Sequence, residues 1–545
     1  MAVTDNFKPV AGSERMHAAS HQVLNPTAAG QTVTATLIVR RTPRGTRLKK
    51  LEEFSPQART PRSSMSRADF AANHGADPAE LAAVENYAKS RGLTVVEANA
   101  SRRSVVVSGT AAEMNKAFAV QLHDYDSPRG KYHGHTGPAQ VPAAIADMVE
   151  AVIGLDNRKI PATHFVKRKQ PNDPPNTVSV TPQQVAKLYN FPAATNGGAG
   201  AGQTIGLYEM ETNSGPAGYA LSDITSTMRA FGLPLPKITN VSVDGVTNSG
   251  ASDGETGLDI TVAGAIAQAA EIAVYFTGGT SQSIVHALQS MIHPDAGAPQ
   301  PGIVSISYGW GPDDPSADSF STQDLQQITQ LFQDAANLNI TVLVSSGDSG
   351  AFIESKTQAQ TSYPASEPWV TACGGTAIGD ENAATFVEYV WNDSGATGGG
   401  ISAQFDVPAY QSSVKLDNRN GTGKPGRSLP DIAGNASPFS GYTQFINGRS
   451  EPVGGTSAVA PLYAGLIAII NSNLGVPAGF LNPALYSAAD NAFRSISGPP
   501  GPQNNTYNKV KGYAATAPFN PCTGFGSVNG AALQNLLKTT LAAGK

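Results

Sequence analysis

From residue 181 onward, apolar residues fall into short runs separated by stretches with helical spacing. Runs at 204–208, 271–276, 303–307 and 340–344 read as strands. The segments 217–230, 255–269, 283–291 and 323–336 repeat apolar positions every three or four residues and read as helices. Buried strands alternating with helices predict a parallel sheet covered on both faces. A helix is expected at 182–189 behind a Thr181 cap, and another at 529–541 closes the chain.

The first 155 residues have a different rhythm. Strands are expected at 32–40, 93–97, 104–107 and 120–125, with helices at 69–74, 78–91 and 111–118. This βαββαβ order predicts a small α+β domain, an antiparallel sheet with helices on one face. Residues 1–30 are polar and irregular and read as a mobile tail. Residues 160–180 carry Lys167-Arg168-Lys169, Pro171, Pro174 and Pro175 without periodicity, and read as an exposed linker.

Charge sharpens this division. Up to residue 180 the chain carries a net +7; from 181 onward it carries −12. The two parts should attract near neutral pH and loosen as carboxylates protonate. Seven of the nine histidines lie in the first 180 residues. Only 14% of residues are charged, a composition suited to acid. No basic patch interleaved with aromatics suggests nucleic-acid binding, and no 18-residue apolar run suggests a membrane span. The first 22 residues lack the charged-then-apolar pattern of a signal peptide. The two cysteines, Cys373 and Cys522, are too few for a disulfide scaffold and lack metal-ligand spacing; they either pair or stay as buried thiols, with the unpaired state favoured.

Three stretches carry candidate chemistry. Gly454-Gly455-Thr456-Ser457-Ala458 opens an apolar helix, where unpaired N–H groups and the helix dipole favour a serine nucleophile. Ser457 as a mere helix cap is the plainer alternative. Neither His286, on an apolar helix face, nor His293, before a proline, suits a general base. Glu255 and Asp259, four residues apart on one helix face, offer a coupled carboxyl pair instead. Asp348 follows a buried strand in Ser346-Gly347-Asp348-Ser349-Gly350, at the sheet edge where α/β proteins gather their sites.

Together these stretches, with Tyr363-Pro364-Ala365-Ser366, resemble the signatures of the sedolisins, the serine-carboxyl peptidases, and the kumamolisin-like members above all. Val106-Val107-Ser108-Gly109-Thr110 and Gly154-Leu155-Asp156 resemble the sedolisin propeptide. The resemblance implies a subtilisin-like α/β fold at 181–545, preceded by a ferredoxin-like inhibitory prodomain at 1–159 and a cleavable linker at 160–180. It implies an acid-active serine-type endopeptidase made as an autoprocessing zymogen. Ser457 would be the nucleophile, Glu255 the general base and then acid, Asp259 its orienting partner, and Asp348 the oxyanion stabiliser. Substrates would be proteins and peptides, with the propeptide as intramolecular inhibitor of a monomeric, extracellular enzyme. Subsite preference would depend on loops 310–319 and 352–363. Tyr308 stands where kumamolisin-like enzymes often carry a tryptophan. By the same resemblance, the family's calcium site is degraded here, with Ser495 and Asn520 where aspartates are usual, so Ca²⁺ is expected to bind weakly or not at all. The rival readings are a neutral subtilisin-type hydrolase, disfavoured by the missing histidine, and a catalytically inactive sedolisin-like binding protein.

Overall fold

The computed structural model describes all residues except 1–5, 18–19, 55–64, 129, 164, 168–178, 196, 213–214, 313–319, 352–358, 381–386, 415–423, 488–491, 498–500 and 544–545. Most of the expected basic, proline-rich linker and of the subsite loops therefore lies outside the described residues.

The large sheet follows the order Lys237–Ser242, Glu271–Thr277, Thr204–Met210, Ile303–Ile306, Thr341–Ser345, Thr371–Asp380, Ile432–Asn435, Ser527–Val528 and Phe493–Arg494. From Lys237–Ser242 to Ser527–Val528 these strands pair in parallel. Helices Glu255–Ile266 and Val459–Leu474 pack against each other on one face, in one apolar core. Helices Ser281–Ile292 and Thr322–Asn337 cover the other face. Thr456–Leu474 is long and apolar enough to cross a membrane, but 83% of its 18-residue apolar window is buried inside the protein, so it is a core helix.

The front domain is a four-stranded antiparallel sheet in the order Thr94–Asn99, Ser104–Thr110, Thr32–Val39, Val149–Ile153. Its fourth strand is not the expected 120–125. Leu122–Ser127 pairs instead with Gly130–His135 in a separate hairpin. The reason is side-chain chemistry: LHDYDS is mostly polar, whereas VEAVI can be buried along nearly all its length. The outer edge of Val149–Ile153 is closed by a side chain of the large domain. Gln323 Nε2 donates to the Val152 carbonyl at 2.6 Å, and Val152 N–H donates to Gln323 Oε1 at 3.1 Å.

The expected mobile tail is also built in. Phe7–Pro9 pairs with Gln140–Pro142, Gln22–Pro26 pairs with Leu122–Ser127, and Val10 is buried. Arg15 reaches the buried Asp156 at 3.2 Å. The charge attraction between the parts is realised in ion pairs such as Arg41–Asp334 at 2.7 Å and Arg102–Asp295 at 2.8 Å. His286 bridges the parts, holding Thr36 Oγ1 at 2.8 Å and Asp244 at 2.7 Å. His293 bonds Asp334 at 3.0 Å. Both cysteines are buried and unpaired.

Candidate active site

Parallel strands end together, and three consecutive ends supply polar groups to one place. Strand Ile303–Ile306 runs into Ser307 and Tyr308, and Thr341–Ser345 runs into the turn carrying Asp348. Thr204–Met210 pairs with Ile303–Ile306 so that Tyr208 faces Ile306, which sets Glu209 beside Ser307. Opposite them, Gly455 (φ 108°) turns the chain into the Thr456–Ala458 3₁₀ turn that leads the Val459–Leu474 helix. The positive φ is one that glycine adopts without strain.

Ser457 lies fully buried in that turn. Its Oγ donates to the Ser307 carbonyl at 3.2 Å. It also lies beside the Glu255 carboxyl, close enough to favour that group's charged form. Neither Glu255 oxygen has a hydrogen-bond partner of normal geometry among the described residues. Glu255 is the first residue of its helix, and Asp259 sits one turn on. Asp259 Oδ1 accepts from Ser307 Oγ at 2.9 Å. Burial, then the charges of Asp259 and Glu209, push the Glu255 carboxyl well above the usual range. Burial does the same to Asp259, against the pull of its Ser307 hydrogen bond.

Asp348 enters from the other side. Its Oδ1 accepts from Thr456 N–H and Thr456 Oγ1, each at 2.8 Å. Its Oδ2 is shielded from solvent with no partner among the described residues. Burial pushes this carboxyl up to about 7, despite both Thr456 bonds. Below that pH, Oδ2 therefore carries a proton with no internal acceptor. The structure thus brings Ser457 together with Glu255, Asp259 and Asp348.

Glu209 is a fourth acid that sequence reasoning missed. It is fully buried, and Tyr308 Oη (2.9 Å) and Thr256 Oγ1 (3.1 Å) donate to its Oε2. It lies within hydrogen-bonding range of Asp259. Burial, then Asp259, raises it well above the ordinary value. The available signal was an acid inside the otherwise apolar strand TIGLYEM.

Two segments of the linker lie across this site. Pro161–Thr163 pairs antiparallel with Tyr308–Pro312, Thr163 opposite Tyr308. Val166–Lys167 pairs antiparallel with Arg449–Gly454, Val166 opposite Gly454.

At the C-terminal end, the run where the calcium site is expected to be degraded is tied together by the Asn520 amide. Asn520 is buried, and its Nδ2 donates to the carbonyls of Thr516 (3.0 Å) and Gly524 (3.4 Å). Its Oδ1 accepts from the N–H groups of Cys522 (2.9 Å) and Thr523 (2.7 Å). Carbonyls that a hard cation would use are already held by an amide, Ser495 is exposed, and no group of three or more His, Cys, Asp or Glu side chains that could hold a metal occurs among the described residues.

Comparison with known proteins agrees with the architecture. The Pro-kumamolisin activation domain matches residues 20–158, and the Subtilase family matches 245–484. Kumamolisin from Bacillus sp. (strain MN-32) is 36% identical over 97% of this chain and 96% of its own length. Sedolisin from Pseudomonas sp. (strain 101) is 27% identical over 87% of this chain and 82% of its own. The solved structure of Pseudomonas sedolisin, a serine-carboxyl proteinase complexed with pseudo-iodotyrostatin, superposes with a TM-score of 0.55 at 26% identity. It covers 67% of this chain and 99% of that one. With its activation domain, subtilisin-like sheet and full-length likeness to kumamolisin, this chain belongs to the sedolisin family of serine-carboxyl peptidases.

Proposed function

We propose that the chain is the zymogen of an acid-active serine endopeptidase, with residues 1–159 as prodomain, 160–180 as cleavable linker and 181–545 as the exported enzyme. Ser457 attacks the scissile carbonyl while ionised Glu255 takes its proton and later returns it to the leaving amine. Asp259, fixed by Ser307, orients Glu255. Asp348, protonated, donates from Oδ2 to the oxyanion, as a neutral buried acid can. A histidine base would be mostly charged at pH 4, whereas a carboxyl has a reference pKa of ~4.3; burial raises Glu255 above that, so the base is its ionised fraction, which the Ser457 contact favours. The observation that carries this reading is the gathering of three carboxyl side chains, two from one helix and one from a strand-end turn, around the buried Ser457: Glu255 lies beside its hydroxyl, Asp259 holds Ser307, and Asp348 holds the neighbouring Thr456.

The linker's course supports self-inhibition and self-processing. An extended chain held between two edge strands is the usual posture of a peptide bound by strand addition. Thr163 lies opposite the neighbour of Ser307, and Val166 lies opposite Gly454, three residues before Ser457. The bond cut in maturation therefore falls between Thr163 and Val166, a narrower window than the whole linker. The test is acid incubation of the purified zymogen, read by mass spectrometry. The native chain should cut itself in that window, and Ser457→Ala and Glu255→Gln should stay intact. A Ser457→Ala chain that matures without added protease would refute the proposal.

A further inference from the structure

One side chain of the crossing strand has a seat of its own. Phe165 is half-buried and packs against the core of the large domain. Its ring lies on the backbone of Gly254: a Cβ added there would stand 2.9 Å from Phe165 Cε1 and Cζ, and 3.4 Å from Ile446 Cδ1. Gly254 precedes Glu255 and caps its helix with φ 98°, a conformation favouring glycine, and the ring's approach is a second, independent reason for one. Ile446 ends the strand Tyr442–Ile446, whose hairpin partner Arg449–Gly454 carries the backbone that pairs with Val166–Lys167. The same hairpin is tied to the catalytic helix, because Gln444 Nε2 donates to the Gly254 carbonyl at 3.0 Å. Seat and register are thus built from one unit.

We propose that the leaving-group side of the cleft holds a subsite for an aromatic side chain, with Gly254 as its floor and Ile446 as its wall. This rests on the peptidase reading above. Glu255 must hand a proton to the leaving amine, so the substrate residue lying against Gly254 is the one whose nitrogen departs. Phe165 holds that place in the zymogen, and a substrate residue takes it in the mature enzyme. A ring there leaves water for an apolar floor, whereas alanine leaves that floor wet. A single apolar pocket of this kind discriminates by roughly 10–200-fold.

The experiment uses the acid-activated full chain and fluorogenic peptides copied from residues 160–169, with phenylalanine, leucine, alanine or glycine at the position of Phe165. At pH 4 the phenylalanine peptide should show kcat/KM at least about tenfold above the alanine peptide. Cleavage should fall at the bond preceding that residue. Ile446→Ala, which removes the wall, should shrink the phenylalanine-to-alanine ratio of kcat/KM. Equal rates for the phenylalanine and alanine peptides, cut at that same bond by native chain but not by Ser457→Ala, would overturn the subsite alone. No cleavage of any peptide, or equal cleavage by Ser457→Ala, would overturn the peptidase reading and the subsite with it.

Discussion

Asp348→Asn separates two jobs of one side chain. Oδ1 is an acceptor for both Thr456 donors, and Oδ2 is the buried, unpartnered atom that carries the proton. Asparagine keeps the acceptor and offers N–H where O–H stood, but it does not titrate. In the native chain burial raises this carboxyl from 3.8 to about 7. That is about three units, and at about 1.4 kcal/mol each it amounts to at most ~4 kcal/mol. The folded chain holds the proton more tightly than the unfolded one. Its stabilising effect is therefore complete below about pH 4 and is lost as pH rises through about 7. Urea unfolding from pH 4 to 8, in a Ser457→Ala background that prevents self-digestion, should show this loss, and Asp348→Asn should flatten it. In the active chain, kcat/KM should fall near pH 7 as Asp348 ionises. Asp348→Asn should abolish that alkaline limb, whereas Asp348→Ala should lose about 10²–10³-fold at every pH. An unchanged alkaline limb together with an unchanged stability slope in Asp348→Asn would refute the reasoning.

Glu209→Gln removes a charge that helps raise Glu255, so the base should ionise at lower pH and the acid limb of kcat/KM should move down; an unmoved limb would contradict the coupling. Chelators should leave the melting temperature unchanged, while Asn520→Ala should cost roughly 1–3 kcal/mol by stranding buried backbone groups. A rise of several degrees with millimolar calcium would contradict this reading of the C-terminal end. His135 is held below its ordinary value by burial and then by Arg15 and Arg158, against Asp156. It binds a proton more weakly folded than unfolded, so it costs stability as pH falls below 6.5. His135→Gln should therefore make zymogen melting less sensitive to pH between 7 and 4, and parallel curves would exclude the histidine as a contributor.

Much of the site is legible in the chain because its parts are local. Glu255 and Asp259 share one helical turn, Asp348 follows a strand directly, and Ser457 opens a helix behind two glycines. Glu209 escaped because its one local mark, an acid inside an apolar strand, does not say what it meets; its meaning comes from a parallel register with residues about a hundred positions away. The fourth prodomain strand went to 120–125 because periodicity does not reveal which of two candidate strands meets the sheet. The linker's pairing with Tyr308–Pro312 and Arg449–Gly454 is likewise long-range, and composition in that region signals only exposure.

The Gln323 amide that closes the Val149–Ile153 edge belongs to the enzyme, so it stays behind when the prodomain departs. A severed prodomain would then present the Val152 donor and acceptor bare on an apolar edge strand, an invitation to stack with copies of itself. If the proposed self-cleavage releases the prodomain, maturation would acquire a ratchet, since an inhibitor that clumps or is digested does not return to the cleft. Light scattering that rises as the prodomain is shed, and never if Val152 is blocked by N-methylation in a synthetic prodomain, is the signature of that one-way step.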